Sequence, residues 1–363
     1  MDRCEAVGKH LGDAFEVIGL EIAGASRTYE WEQTGSGENF TKETLFPGRI
    51  FEETRFWPRL VRLVGHSLKA RIRHLFLCHY ERPEIFLLAL LMRLLGRRVY
   101  VMQASKFDDK QRFVLRELGK RVLYIPYHGA IVGSDRTRSY LRFLGFRDDR
   151  LFPGYDTVSV DRIRRLAGAP PAPAGMPYLR RHFTIVARLV AKKNISLAIA
   201  AYEIYRDKAG ADVRDLHICG SGELDGELRL DVERRGLEGV KFLGFLQADG
   251  VARLLGTTLA LILPSTEEQW GLVINEALAM GVPILCSDRV GARDSLVRVG
   301  VNGYVFEPDN VQGLARLMGQ LGSDETQWRA FAEAALSFAK KGDATRFAEA
   351  VGEMVGAKSA DGG

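Results

Sequence analysis

Cysteine is scarce and scattered in this chain of 363 residues: Cys4, Cys78, Cys219 and Cys286 lie far apart, with none at metal-ligand spacing. That pattern excludes a disulfide framework and reads as isolated thiols of a reducing compartment. Cys219 and Cys286 stand inside apolar runs, where a small buried residue is expected. Long hydrophobic runs are missing too, the longest being Ile85 to Met92, too short to span a bilayer. The opening Met1-Asp2-Arg3-Cys4-Glu5 is charged and has no apolar core, so it does not read as a secretory leader. No short-period repeat or low-complexity tract is present, which excludes solenoid and fibrous classes.

What is present describes an ordinary globular chain, with 46% hydrophobic and 27% charged residues. The length favours two domains over one core. Residues 167–178, rich in alanine, glycine and proline, continue neither helix nor strand and read as a linker. The expected division is therefore 1–166, linker 167–178, and 179–363. Before the linker, strand-like runs are expected at Glu16–Glu21, His74–Cys78, Val99–Met102, Val122–Ile125 and Ala130–Val132, with helices such as Cys4–Phe15, Pro83–Leu95 and Asp135–Leu144. After it, strands are expected at Thr184–Val186, Leu216–Cys219, Val240–Phe242, Leu259–Leu263 and Pro283–Cys286, with helices at Ser196–Tyr205, Leu272–Met280 and Asn310–Leu321. Alternation of strand and helix in both halves argues for an α/β architecture of two doubly wound parallel sheets facing a cleft.

Charge is unevenly spread. Residues 1–166 hold 29 Lys and Arg against 21 Asp and Glu, and the remainder 22 against 25, within a net charge of +5. The densest basic stretch, Arg55 to Arg73, mixes cations with Phe56, Trp57 and aliphatic residues, as helices on anionic membrane surfaces do. A solvated helix face or nucleic-acid binding would produce the same bias.

The most informative block is Pro264-Ser265-Thr266-Glu267-Glu268-Gln269-Trp270-Gly271-Leu272-Val273-Ile274-Asn275-Glu276-Ala277. An apolar run, Leu259 to Leu263, precedes it, and residues at helical spacing follow, so its polar groups gather at the carboxyl end of a buried strand. That is where open parallel sheets bind ligands, and a helix start there offers backbone N–H groups to an anion. Acidic residues are also common in first helical turns for dipole reasons alone. Upstream, Arg188 and Lys193 follow the strand Thr184–Val186 and suit a diphosphate, although a solvated loop would look the same. Leu216 to Cys219 leads into Gly220-Ser221-Gly222, a turn whose offsets fail the dinucleotide fingerprint, so nicotinamide chemistry is disfavoured.

The glutamate block resembles the signature of the retaining, nucleotide-sugar-dependent glycosyltransferases of family 4: a Glu, seven residues, then another Glu, here Glu268 and Glu276. The likeness runs on through Ala277-Leu278-Ala279-Met280-Gly281-Val282-Pro283, Val290-Gly291 and Asn302-Gly303-Tyr304-Val305-Phe306. It implies a GT-B fold and metal-independent transfer, without a cofactor, from a UDP- or GDP-sugar to a saccharide or polyprenyl-linked saccharide, with no role for nucleic acid. Surface polysaccharide assembly in the cytoplasm, at the inner membrane face, would be its setting. By the same resemblance, Arg188, Lys193 and the N–H groups of Gly271 and Leu272 would hold the diphosphate, Glu276 the ribose and Glu268 the sugar hydroxyls. Gly220 and Gly222 would line the site or equally form a plain tight turn, and Trp270 would pack at the sugar edge or simply be buried in its loop.

The first half departs from that pattern. Family members begin with a strand and a glycine-rich loop, whereas this chain opens with what reads as the following helix; either its true start lies upstream of Met1 or the second domain alone holds the donor phosphates. The loop after Val99–Met102 lacks the histidine many members carry. Gln103 or Ser105 there could hydrogen-bond a hydroxyl but not act as a general base, and His79 is a substitute that is as readily structural. Lys106, Asp108 and Asp109 share that loop, expected to be solvated or to face the cleft.

Overall fold

The computed structural model describes residues 1–26, 35–109, 112–210 and 213–357. They form two compact units. One holds the residues up to 107, those from 112 to 157 and those from 344 on; the other holds 158–343 with the short 108–109 segment. These limits differ from the expected 1–166 and 179–363 for physical reasons. The helix Val160–Ala167 turns Val160, Ile163 and Ala167 into the second unit's core beside Ala252, Leu255 and Ala277. The proline-rich stretch is packed, not free: Ala172 is buried, and its N–H donates to Met280 O at 2.9 Å. Arg181 ties the same stretch down, donating to Met176 O, Ala174 O, Gly256 O and Thr258 O while its guanidinium lies over the Trp328 ring. At the other end, the helix Ala344–Val355 returns to the first unit. There Phe347, Ala348 and Val351 meet Val7 and Leu11 of the helix Asp2–Leu11.

In the first unit β1 (Ile18–Ala25) and β2 (Thr41–Ile50) pair in parallel, with Ile18 opposite Thr41. The register jumps between Ala23 and Ala25, opposite Phe46 and Ile50, and the skipped residues include Pro47 and Gly48, the latter at φ +71°. A proline and a left-handed glycine inside a strand are tolerated at such an irregularity, and they hide β2 from a pattern reading. A second parallel sheet runs β3 (His74–Leu77), β4 (Arg98–Gln103), β5 (Gly129–Val132) and β6 (Leu151–Pro153), in chain order. The expected strand Val122–Ile125 is instead the helix Arg121–Tyr124, which buries Tyr124 among aromatic neighbours. Short apolar runs of this kind are ambiguous between the two periods.

The second unit has one six-stranded sheet, all parallel: β7 (His182–Val186), β8 (Leu216–Cys219), β9 (Val240–Gly244), β10 (Thr258–Leu263), β11 (Ile284–Ser287) and β12 (Gly303–Phe306). Its order is β12-β11-β10-β7-β8-β9. Every residue of β10 is buried, as a central parallel strand covered on both faces requires. Cys219 and Cys286 are buried free thiols at the ends of β8 and β11. The chain steps outward from β7 to β9 and then returns to the other side of β7 at β10. Winding therefore reverses between β7 and β10, the point where an open sheet leaves a crevice at its carboxyl edge. Among the described residues no helix is long and apolar enough to cross a membrane.

Candidate active site

The loops that leave β7 and β10 at this reversal carry most of the residues singled out in the sequence. They are tied together directly. Lys193 donates to Glu268, joining the first loop to the second. Thr266 N–H donates to Lys192 O at 2.9 Å. Asn194 donates from Nδ2 to Pro264 O and Pro308 O at 3.1 and 2.7 Å. Asn194 stands at φ +55°, before the helix Ile195–Ala209. Asparagine tolerates this left-handed geometry, and its amide adds bonds that glycine could not. Lys192 and Glu267 form a further, exposed pair at 3.6 Å.

The loop after β8 braces the loop after β7. Ala187 N–H donates to Cys219 O, and Leu189 N–H to Ser221 O, at 3.0 and 2.8 Å. Arg188, between them, is exposed. A Cβ at Gly220, which has φ +144°, would lie 1.8 Å from Ala187 O, and one at Gly222 would lie 2.4 Å from Leu189 O. Both glycines are thus required by the close approach of two chain segments, and their product is the position of Arg188.

The glutamate loop is held from β11. Ser287 Oγ donates to Ser265 O at 2.5 Å, Gly291 N–H to Glu268 O at 3.2 Å and Ala292 N–H to Trp270 O at 3.0 Å. A side chain at Gly291 would collide with Gln269 O, at 1.8 Å. Gly271, at φ +99°, turns the chain into the helix Val273–Ala279. Leu272 is exposed at that turn, and Glu276 lies half-buried in the first helical turn. Burial pushes the Cys219 thiol up to about 11, and the Glu276 carboxylate adds to the rise, which puts Glu276 within electrostatic reach of the end of β8. Trp270 is 6% exposed, with its ring in the hydrophobic core. Its indole N–H donates to Asn275 Oδ1 at 2.9 Å, and Asn275 in turn donates to Gly342 O. This environment matches loop burial rather than a sugar-edge platform.

Gln103 and His79 belong to the first unit. Gln103, at the end of β4, is buried and donates from Nε2 to Tyr124 OH at 3.2 Å. His79, just beyond β3, has φ +59° and a side chain 62% exposed, with Nδ1 3.4 Å from Glu81 Oε1. The hydrogen bond to His79 holds the Glu81 carboxyl below its ordinary value despite burial. The loop after β4 is mixed: Lys106 is only 1% exposed and Asp109 is buried, whereas Phe107 and Asp108 are exposed. Arg112 donates to Lys106 O and Phe107 O at 2.7 and 3.0 Å and also meets the buried Glu117. Burial alone would raise the Glu117 carboxyl, but hydrogen bonds from Lys120 and Tyr140 outweigh it and hold the group below its usual range. Arg112, Glu117 and Tyr140 were invisible to sequence reasoning because charged and phenolic groups ordinarily read as surface.

Residues 179–338 match the family model described as glycosyl transferases group 1. Poly(glycerol-phosphate) alpha-glucosyltransferase of Bacillus subtilis (strain 168) is 30% identical over 172 residues, 47% of this chain and 25% of that protein. The chain thus spans about a quarter of the length of that relative. Among solved structures, sucrose-phosphate synthase from Thermosynechococcus elongatus superposes with a TM-score of 0.74 at 16% identity, covering 97% of this chain and 90% of the other. The Anabaena protein HepE, solved in complex with UDP, superposes with a TM-score of 0.67 at 19% identity, covering 87% and 86%. The fold is GT-B, with two Rossmann-like domains, and the family match supports a glycosyltransferase family for the segment that carries the site.

Proposed function

We propose that the chain is a retaining, metal-independent glycosyltransferase of family 4. It takes a sugar from a nucleoside-diphosphate sugar and passes it to a saccharide or polyprenyl-linked saccharide, in surface polysaccharide assembly at the inner face of the cytoplasmic membrane. The observation that carries this reading is the contact of Lys193 with Glu268 at the point where the second sheet reverses, inside the segment that matches group 1 glycosyl transferases. Lys193 and the exposed Arg188 neutralise the departing diphosphate. Gly271 and Leu272, in the turn just before the helix Val273–Ala279, present their N–H groups to the same phosphates. Glu276 accepts hydrogen bonds from the ribose. Glu268, released by Lys193 when phosphate arrives, orients the sugar hydroxyls. The bond from the anomeric carbon to the β-phosphate oxygen then breaks, the acceptor oxygen bonds to that carbon on the same face, and its proton passes to the leaving phosphate oxygen. No cofactor enters this scheme.

A second reading is a nucleotide-sugar-binding partner without catalysis. It draws on the first unit, where Gln103 is occupied by Tyr124 and His79 by Glu81. Turnover separates the two. Nucleoside-diphosphate release from a panel of UDP- and GDP-sugars, with EDTA present, is expected from the chain and lost in Glu276→Ala and Lys193→Ala. Nucleotide binding without release across the panel would establish the second reading instead.

A further inference from the structure

The basic, aromatic stretch from Arg55 to Arg73 draws attention as a membrane surface in the sequence; Arg55, Lys69, Arg71 and Arg73 are exposed, while the two arginines in the middle of its helix are engaged within the first unit. In the helix Phe56–Lys69, Arg59 Nε lies 3.2 Å from Glu84, and Arg62 caps the Phe46 ring at 4.2 Å. A different surface of the first unit carries unspent apolar and cationic groups together. The helix Val114–Gly119 and the residue before it expose Phe113, Val114 and Leu115 consecutively, Phe113 at 76% and Leu115 at 85%. The next helix, Arg121–Tyr124, exposes Val122 and, just past its end, Ile125, while Tyr124 is buried. Arg93, in the last turn of the helix Pro83–Leu94, donates to Pro126 O at 3.1 Å, which brings the exposed Leu94 to the same end. Large side chains seldom stand bare in such number without a partner surface.

The charges around them identify the partner. Arg93, Arg116 and Arg121 are exposed. Arg93 and Arg121 donate to main-chain carbonyls, Pro126 O and Leu144 O, contacts that leave their full positive charge in place. The carboxylate of this segment, Glu117, is buried and held by Lys120, Arg112 and Tyr140. Apolar side chains ringed by uncompensated arginines match the boundary between acyl chains and anionic headgroups. We propose that the surface formed by residues 113–125, with the end of the helix Pro83–Leu94, seats the protein on an anionic bilayer. Phe113 and Leu115 enter the acyl boundary, and Arg93, Arg116 and Arg121 meet the headgroups. This seat does not depend on the sugar-transfer reading, since it is measured without donor.

The test is flotation of the full chain with phosphatidylcholine vesicles and with vesicles that also contain phosphatidylglycerol. Binding is expected to the anionic vesicles only and to weaken with salt. Phe113→Ser and Leu115→Ser each reduce it about tenfold, in line with the transfer of one large apolar side chain. Arg116→Glu combined with Arg121→Glu abolishes it. Trp57→Ser, on the helix Phe56–Lys69, leaves it unchanged. All these side chains are exposed, so unaltered thermal unfolding confirms that the variants fold. Equal binding to both vesicle types, loss with Trp57→Ser but not Leu115→Ser, or a dimer in light scattering that Leu115→Ser dissociates would overturn the proposal, the last by assigning the surface to a second copy of the chain.

Discussion

Replacing Lys193 by methionine separates its observed pairing with Glu268 from the phosphate-binding role proposed for it. The side chains of Lys193 and Glu268 are 14% and 15% exposed, so their pair is neither fully solvated nor fully dry. Solvent screening limits its worth to about 1 kcal/mol, and the Glu268 carboxylate can turn toward water when its partner is lost. Melting should fall by only about 2–4 °C, the scale for a unit of this size. The effect on reaction is larger. A fixed cation aimed at developing negative charge contributes about 2.7–4 kcal/mol, so kcat/KM should fall about 10²–10³-fold with the preferred donor. UDP or GDP affinity should weaken by about tenfold or more, because the cation also meets the ground-state diphosphate. The assay is steady-state nucleotide release together with calorimetric titration of the nucleotide, for Lys193→Met, Glu268→Gln and the double variant. The two losses should be less than additive, since either single change already breaks the contact between the two side chains. If Lys193→Met keeps turnover within about threefold while melting drops, the lysine serves as a structural partner of Glu268, and the phosphate role is refuted.

Three further outcomes follow from the second unit. His182 is buried against His217 with ring centroids 3.6 Å apart, and burial first, then the charge of His217, lowers it to about 4. Because its folded value lies below the unfolded 6.5, the unfolded chain takes up the proton first. Stability should therefore decline by about 3 kcal/mol as pH falls from 6.5 to 4, with a shallower decline in His182→Asn, measured by urea unfolding. Gly220→Ala, with its Cβ 1.8 Å from Ala187 O and φ at +144°, should cost about 2–4 kcal/mol and displace Arg188, seen as weaker nucleotide binding, whereas Gly226→Ala, which meets nothing within 4 Å, should do neither. Arg181→Ala orphans four carbonyl acceptors and should lower the unfolding free energy by about 4 kcal/mol in denaturant titration; a loss under about 1 kcal/mol would show that water replaces the guanidinium.

Much of the fold was legible because parallel strands buried on both faces write themselves as unbroken apolar runs. Leu259 to Leu263 and Leu216 to Cys219 are where the pattern placed them. What escaped was local and physical. Val122 to Ile125 looked like a strand because four apolar letters carry no period, and β2 was hidden by Pro47 and Gly48. Lys106 could not be seen as buried, since burial of a charged side chain is set by tertiary neighbours rather than by the residues beside it in the chain.

By itself the sequence determined the alternation of strands and helices, the residue types at the ends of β7, β8 and β10, and the glycines that let those loops approach one another, because these are properties of neighbours in the chain. Only the tertiary structure decided that winding reverses between β7 and β10, so that Lys193 and Glu268, 75 positions apart, share a hydrogen bond. It also decided that the helix Ala344–Val355 leaves the second unit's sequence to pack in the first, that Trp270 turns inward to Asn275, and that Phe113 and Leu115 stay outside. An apolar side chain carries in its chemistry a need for burial, but not the address of the surface that will bury it; that address is set by which elements the whole chain has already brought within reach.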